Sequence, residues 1–204
     1  MSKNMEKGYS PILFVSYGKR CPGLKNSLGL TIVELVVVLA VLVILSSIAV
    51  PNINGWLPKY RLKSAVNDLV SNLQLTKLNA VKENKEWAVV FDSGGSRYAL
   101  CSGSGADNVW ATLNDNPKEK IVQFSEYKSG VGYGHGAATT SATGGSFPGD
   151  DIDYTGNAII YNSQGICNNG FAYMTNGNND ASYAVGTTVA GGIVIRKWTG
   201  AAWD

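Results

Sequence analysis

The chain has 204 residues, with 17 Lys and Arg against 15 Asp and Glu and a single His. The positive balance is unevenly placed: Lys3, Lys7, Lys19, Arg20 and Lys25 stand against Glu6 in the first 29 residues, leaving 12 cations and 14 anions in the other 175. That later part is large enough for one domain with its own core. Its slight acidity argues against a strong non-specific nucleic-acid receptor, whose affinity comes mainly from neutralising phosphates.

Taken in chain order, residues 1–29 form a basic, mostly polar leader in which PILFV (Pro11–Val15) is too short an apolar stretch to insert into a bilayer. LGLTIVELVVVLAVLVILSSIAVP (Leu28–Pro51) follows, and from Leu30 to Val50 its 21 residues carry one charge, Glu34. At about 1.5 Å per helical residue that run spans about 30 Å, the hydrocarbon thickness of a bilayer. It is apolar on every face, whereas a globular helix shows one stripe. A transmembrane helix over 30–51 is therefore expected rather than a buried core helix. A cleavable secretory signal fits poorly, because its apolar core is only roughly 7–15 residues long and lies close to the N-terminus. The basic leader places residues 1–29 in the cytoplasm and the rest outside, a bias that Lys59, Arg61 and Lys63 weaken.

Glu34 is the unusual residue of this run. A carboxylate in apolar surroundings is costly unless paired, so an intramembrane acid is a functional candidate by default. Thr31 is ambiguous, since its hydroxyl can simply bond back to the helix backbone.

NINGWLP (Asn52–Pro58) reads as a breaker cluster. The helical period then resumes, with Leu62, Ala65, Val66, Leu69, Leu73, Thr76, Ala80 and Val81 on one stripe and Lys63, Asn67, Asp68, Asn72 and Lys77 off it. An amphipathic helix is predicted over about 59–84, within a continuation segment 52–86 that lies on the domain. From residue 87 the pattern changes to short β-rich runs between turn clusters: WAVVF (87–91), RYALC (97–101), VWATL (109–113), KIVQF (120–124), AIIYN (158–162), FAYMT (171–175), YAV (183–185) and GIVIRKW (192–198). One long helix followed by successive short strands predicts an α+β fold, a helix packed on an antiparallel β-rich domain over 87–204. Residues 129–149 have no period and read as a long functional or mobile loop.

Chemical signals in this domain are sparse. Asp150, Asp151 and Asp153 are a weak Ca²⁺ candidate, with a solvated turn as the better reading because no calcium-loop spacing is matched. His135 reads as a surface histidine without a fixed partner. Together with Cys101 and Cys167 it falls short of the about four ligands of a zinc site. Outside the cytoplasm two cysteines can pair, so a Cys101–Cys167 bridge is expected, with two separate thiols as the alternative. No G-x-S-x-G, H-E-x-x-H or Walker pattern supports an enzyme, and no cofactor is implied.

KNSLGLTIVELVVVLAVLVIL resembles the class III signal of type IV prepilins and type II secretion pseudopilins. Lys25, Gly29, Leu30, Thr31, Ile32, Val33 and Glu34 fill that pattern in order, except that Leu30 stands where Phe is usual. The leader is also long for many such proteins, which leaves Met5 or a later codon open as the start. The resemblance implies a prepilin peptidase that cuts between Gly29 and Leu30 and methylates the new amine. It further implies an inner-membrane protein with its domain outside, delivered by an assembly platform into a filament of other pilin or pseudopilin subunits. There Glu34 would pair with the Leu30 amine of a neighbour and set subunit register.

A single helix before a β-rich domain, with AIIYNSQG and GGIVIRKWTG as late strands, is similar to the GspH/FimT group of minor pseudopilins and pilins. That similarity also carries an alternative, because some FimT-like pilins bind DNA through basic residues after the last strand. Arg196, Lys197 and Trp198 would be the contacts here, yet TGAAWD lacks the arginines of that pattern. A structural minor subunit is the expected function.

Overall fold

A computed structural model describes residues 29–111, 113–128 and 130–204, with the side chains of 48–54 left out. The expected leader therefore lies outside the described residues, apart from Gly29. The chain divides after Ile44 into two units.

Helix α1 runs from Ile32 to Glu83. Its start is fixed by Thr31, whose Oγ1 accepts the Glu34 backbone N–H at 3.2 Å and whose carbonyl accepts from Leu35 at 3.1 Å. Thr31 is thus the N-cap, and T-I-V-E has the spacing of a capping box. At the other end Asn84 takes a left-handed φ of 52°. Asn84 N–H donates to Val81 and Lys85 N–H donates to Ala80, which is the Schellman closure. The helix does not break at 52–58 as the sequence suggested. Pro58 sits within it, at a local cost of about 3 kcal/mol that the packing just after it offsets. Among the described residues no helix is long and apolar enough to cross a membrane.

Two antiparallel sheets follow. The first has the order β3-β2-β1-β5, from strands β1 (Trp87–Asp92), β2 (Arg97–Cys101), β3 (Lys118–Gln123) and β5 (Ala158–Tyr161). The second has the order β4-β6-β7-β8, from β4 (Gly132–Tyr133), β6 (Gly170–Thr175), β7 (Ser182–Thr187) and β8 (Ile193–Lys197). The domain is therefore α+β as expected, with its strands split between two sheets. Seven of the eight expected runs became strands. VWATL did not.

The main core explains both agreement and exception. Leu62, Ala65, Val66, Leu69, Leu73 and Ala80 of α1 share one buried cluster with Trp87, Val89 and Phe91 of β1, Tyr98 and Leu100 of β2, and Met174 and Val185 of the second sheet. The alternate residues Ala88, Val90, Ala99, Cys101 and Ala158 are also buried, on the opposite face of the first sheet. WAVVF is apolar throughout because both of its faces are covered. Trp110 and Leu113 supply the second cover, so these two residues of VWATL cap a sheet rather than extend one. The Asp115 carboxylate holds that covering segment by accepting the N–H groups of Ala106 and Asp107 at 2.7 and 3.3 Å.

The second sheet has its own cover, made partly from the segment read as a functional or mobile loop. Ala142 and Phe147 pack with Phe171, Tyr173, Ala184 and Trp203. Tyr173 Oη accepts the Ala142 N–H at 2.9 Å, and Trp203 Nε1 donates to the Thr140 carbonyl at 2.6 Å. Within this segment Val131, Ala138, Ser141 and Ala142 are buried, so it is anchored at several points whose signal is isolated alanines and aromatics without any period.

Candidate functional site

Two regions carry the expected functional residues. The first is the start of α1. Gly29 and Leu30 precede the helix, Thr31 caps it, and Glu34 lies in its first turn, where a carboxylate favours the helix dipole. The sequence left Thr31 open between a bystander and a participant; the structure makes it the residue that starts the helix three positions before Glu34. From Gly29 to Ser47 every described residue is exposed, including Leu30 at 74% and Ile32 at 80%. Residues 32–47 alone make about 24 Å of unshielded helix at about 1.5 Å per residue, an exposed apolar run unusual in a globular protein.

The second region is the surface of the β-rich domain, where the expected sites fare differently. Arg196 turns inward: its Nη1 donates to the Ala142 carbonyl and its guanidinium lies 5.4 Å from the centre of the Phe171 ring. Lys197 is exposed. Trp198 leaves β8 and forms an isolated bridge with Trp203, the two rings 5.4 Å apart. These three residues therefore do not form one basic, stacking surface.

The acidic cluster disperses as well. Asp150 Oδ2 accepts from Asn157 at 2.6 Å, while Asp151 Oδ1 lies 2.5 Å from Nδ1 of His135. Among the described residues no group of three potential ligands converges on a metal position, so the weak calcium candidate is dropped. His135 is not a lone surface residue. It pairs with Asp151, and its ring stacks on Phe147 at 3.9 Å. The reason is visible in the fold: both aspartate and histidine lie at the edge of the cover over the second sheet, which needs its polar ends satisfied.

Cys101 and Cys167 are both buried and unbridged. Cys101 belongs to the outer cluster of the first sheet and Cys167 to the main core, so the alternation of β2 sends the first thiol away from the second. Burial pushes the Cys101 thiol up to about 11 and raises that of Cys167. Neither is a reactive thiolate at neutral pH. The expected bridge is therefore replaced by two structural thiols.

Two features escaped the sequence reading. Asn72, placed off the apolar stripe, is buried and donates to Tyr98 Oη at 2.8 Å while accepting from Lys120 Nζ at 3.0 Å. Val81, placed on the stripe, is exposed, as are Leu78, Ile166 and Val189 nearby. Here the turns after β5 and β7 meet the helix, where Lys77 Nζ donates to the Gly191 carbonyl at 2.9 Å. Gly191, at φ 74°, must be glycine, because a Cβ there would collide with the Gly165 carbonyl oxygen.

Comparison with known proteins matches residues 65–191 to the family described as type II transport protein GspH. Two fimbrial proteins of Pseudomonas aeruginosa are each 28% identical over 114 residues, covering 52% of this chain and 73% of theirs. The structure of the minor pseudopilin EpsH from the type 2 secretion system of Vibrio cholerae aligns with a TM-score of 0.44 and 11% identity, over 66% of this chain and 95% of that one. The family match spans more than half of the sequence, from the buried face of α1 to the turn that Lys77 holds. The chain belongs to the GspH family of type II transport proteins.

Proposed function

We propose that this chain is a minor structural subunit of a type II secretion pseudopilus or a related pilus, made as a prepilin and held in the inner membrane by residues 30–51. The leader 1–29 is removed by prepilin peptidase, Glu34 meets the new Leu30 amine of a neighbouring subunit, and an assembly platform draws the subunit into the filament. The exported domain 87–204 makes lateral or end contacts.

One observation carries this reading. The domain closes its core with residues 62–80 of α1, while the apolar side chains of residues 30–45 stand exposed. Apolar area costs about 25 cal/mol per Å² when left in water, so that segment is built for cover from outside its own domain. Lipid supplies it before assembly and neighbouring helices supply it afterwards. The exposed Leu78, Val81, Ile166 and Val189 would serve as a smaller lateral contact. The family is one of structural subunits rather than enzymes, in keeping with the sparse chemistry of the domain. A DNA-uptake role has less support, since Arg196 is committed to Ala142 and Phe171.

Glu34→Ala tests the assembly step. Removing the acid lowers the cost of residence in lipid, so the variant should still fractionate with membranes, while its recovery in sheared filaments falls at least tenfold. Recovery equal to the wild type would remove Glu34 from the assembly mechanism.

A further inference from the structure

Beyond the apolar run in sequence, the middle of α1 carries a cleft that none of the roles above uses. It has a volume of about 520 Å³ and is lined by Trp56, Tyr60, Lys63 and Asn67 of α1 together with Tyr183 and Lys197 of the second sheet. Trp56 and Tyr60 are 59% and 56% exposed, and their rings stack at 5.0 Å. Large aromatics this exposed add nothing to the core. Lys59 closes one side through its ion pair with Asp180 at 3.1 Å. The ammonium groups of Lys63 and Lys197 form no ion pair among the described residues, so two exposed cations face one aromatic-walled hollow.

We propose that this cleft binds the headgroup of an anionic phospholipid in the leaflet from which the domain emerges. The inference rests on the membrane-anchor reading above. Trp56 and Tyr60 are the first aromatic residues after Gly29, and aromatic side chains concentrate at the level where hydrocarbon meets headgroups. Lys59 and Lys63 follow Trp56 by one and two turns, about 5 and 10 Å along the helix, the zone of lipid phosphates. Lys197 lines the same cleft from β8. A phosphate between Lys63 and Lys197 receives two cations, and the lipid glycerol lies against the Trp56 and Tyr60 rings. Trp56 follows the apolar run by six positions in the sequence, which selects lipid over nucleic acid, a ligand that basic and aromatic groups could otherwise also hold. The bound lipid would steady the domain at the bilayer before the subunit leaves for the filament.

The test uses the full chain in vesicles of phosphatidylcholine with and without phosphatidylglycerol. Lipid retained per chain is then read by native mass spectrometry after gentle detergent transfer. Wild type should retain one phosphatidylglycerol in preference to phosphatidylcholine. Lys63→Gln with Lys197→Gln should weaken that retention roughly tenfold or more, since each cation near an anionic surface contributes about a fivefold factor. Lys82→Gln with Lys128→Gln makes the same charge change away from the cleft and should leave retention intact. Equal retention of the two lipids, or no loss in the cleft variant, would overturn the proposal. So would displacement of the lipid by inorganic phosphate or by a short single-stranded oligonucleotide at comparable concentration. An alkaline wash separates the two claims: protein that stays in the vesicles without lipid preference keeps the anchor and loses the cleft. Wild-type protein released by the wash would remove both.

Discussion

Helix α1 contains two sequences with opposite physical logic. Residues 32–45 are apolar on all sides and exposed on all sides, whereas residues 62–80 bury one face completely and present lysines and asparagines on the other. The second stretch even takes a polar residue inside, because Asn72 can satisfy both Tyr98 and Lys120. What differs is not helix formation but the solvent each half is written for. A helix that packs on its own domain needs a stripe; one that, as proposed above, meets lipid and then other subunits needs none.

The largest expected effect comes from making the same substitution in both halves. Leu69→Ala removes a fully buried side chain from the main core and should cost about 2–5 kcal/mol of domain stability. Leu39→Ala, in the exposed half, should leave the chemical denaturation midpoint of the domain unchanged. If the two variants destabilised the domain equally, the division of α1 into a domain half and an outward half would fail.

A smaller effect is expected at the polar residue in the packed half. Asn72→Ala leaves the Tyr98 hydroxyl and the Lys120 ammonium without their partner, a loss of about 1–3 kcal/mol for a buried hydrogen-bonded group. Urea unfolding of the variant should show it, and an unchanged midpoint would mean that water replaces the amide without cost.

The smallest effect is at the β1–β2 turn. Asp92 accepts from the Gly95 N–H and from Arg97, at 2.8 Å each. The Gly95 hydrogen bond chiefly, with help from Arg97, lowers its carboxyl below the ordinary aspartate value. A lowered folded value means stability that is fully present above the unfolded value of about 4 and lost as pH falls through the folded one. Asp92→Asn should therefore lower stability modestly at pH 7 and flatten part of the acid limb, so that variant and wild type converge at low pH. An acid limb identical to the wild type would show that other carboxylates set it.

Much of this architecture was legible in the sequence. The period of Leu62, Val66, Leu69 and Leu73 located the packed face of α1, and seven β-rich runs located strands. Three things were not legible, each for a physical reason. The helix passed through Pro58 because a single local penalty is small beside the burial that follows it. VWATL looked like a strand because covering a sheet and joining one call for the same apolar residues. The segment 129–149 looked unstructured because a cover needs only a few anchor side chains, here Ala142, Phe147 and the partner Trp203, at no fixed spacing. At the site, the sequence left Thr31 ambiguous, its hydroxyl able to bond back to the helix, and the structure makes it the N-cap. The cysteine expectation failed because spacing along the chain does not reveal which face of a sheet a thiol occupies. Lys63 and Lys197 lie far apart in sequence, so the fold alone brings them to one cleft.

The central claim is that residues 30–51 stay on the working protein as its outward-facing helix. N-terminal sequencing of the chain extracted from membranes tests it most directly. The account predicts a mature protein that begins at N-methylated Leu30 and keeps the whole apolar run. A mature protein beginning within 47–52, with that run removed, would contradict it.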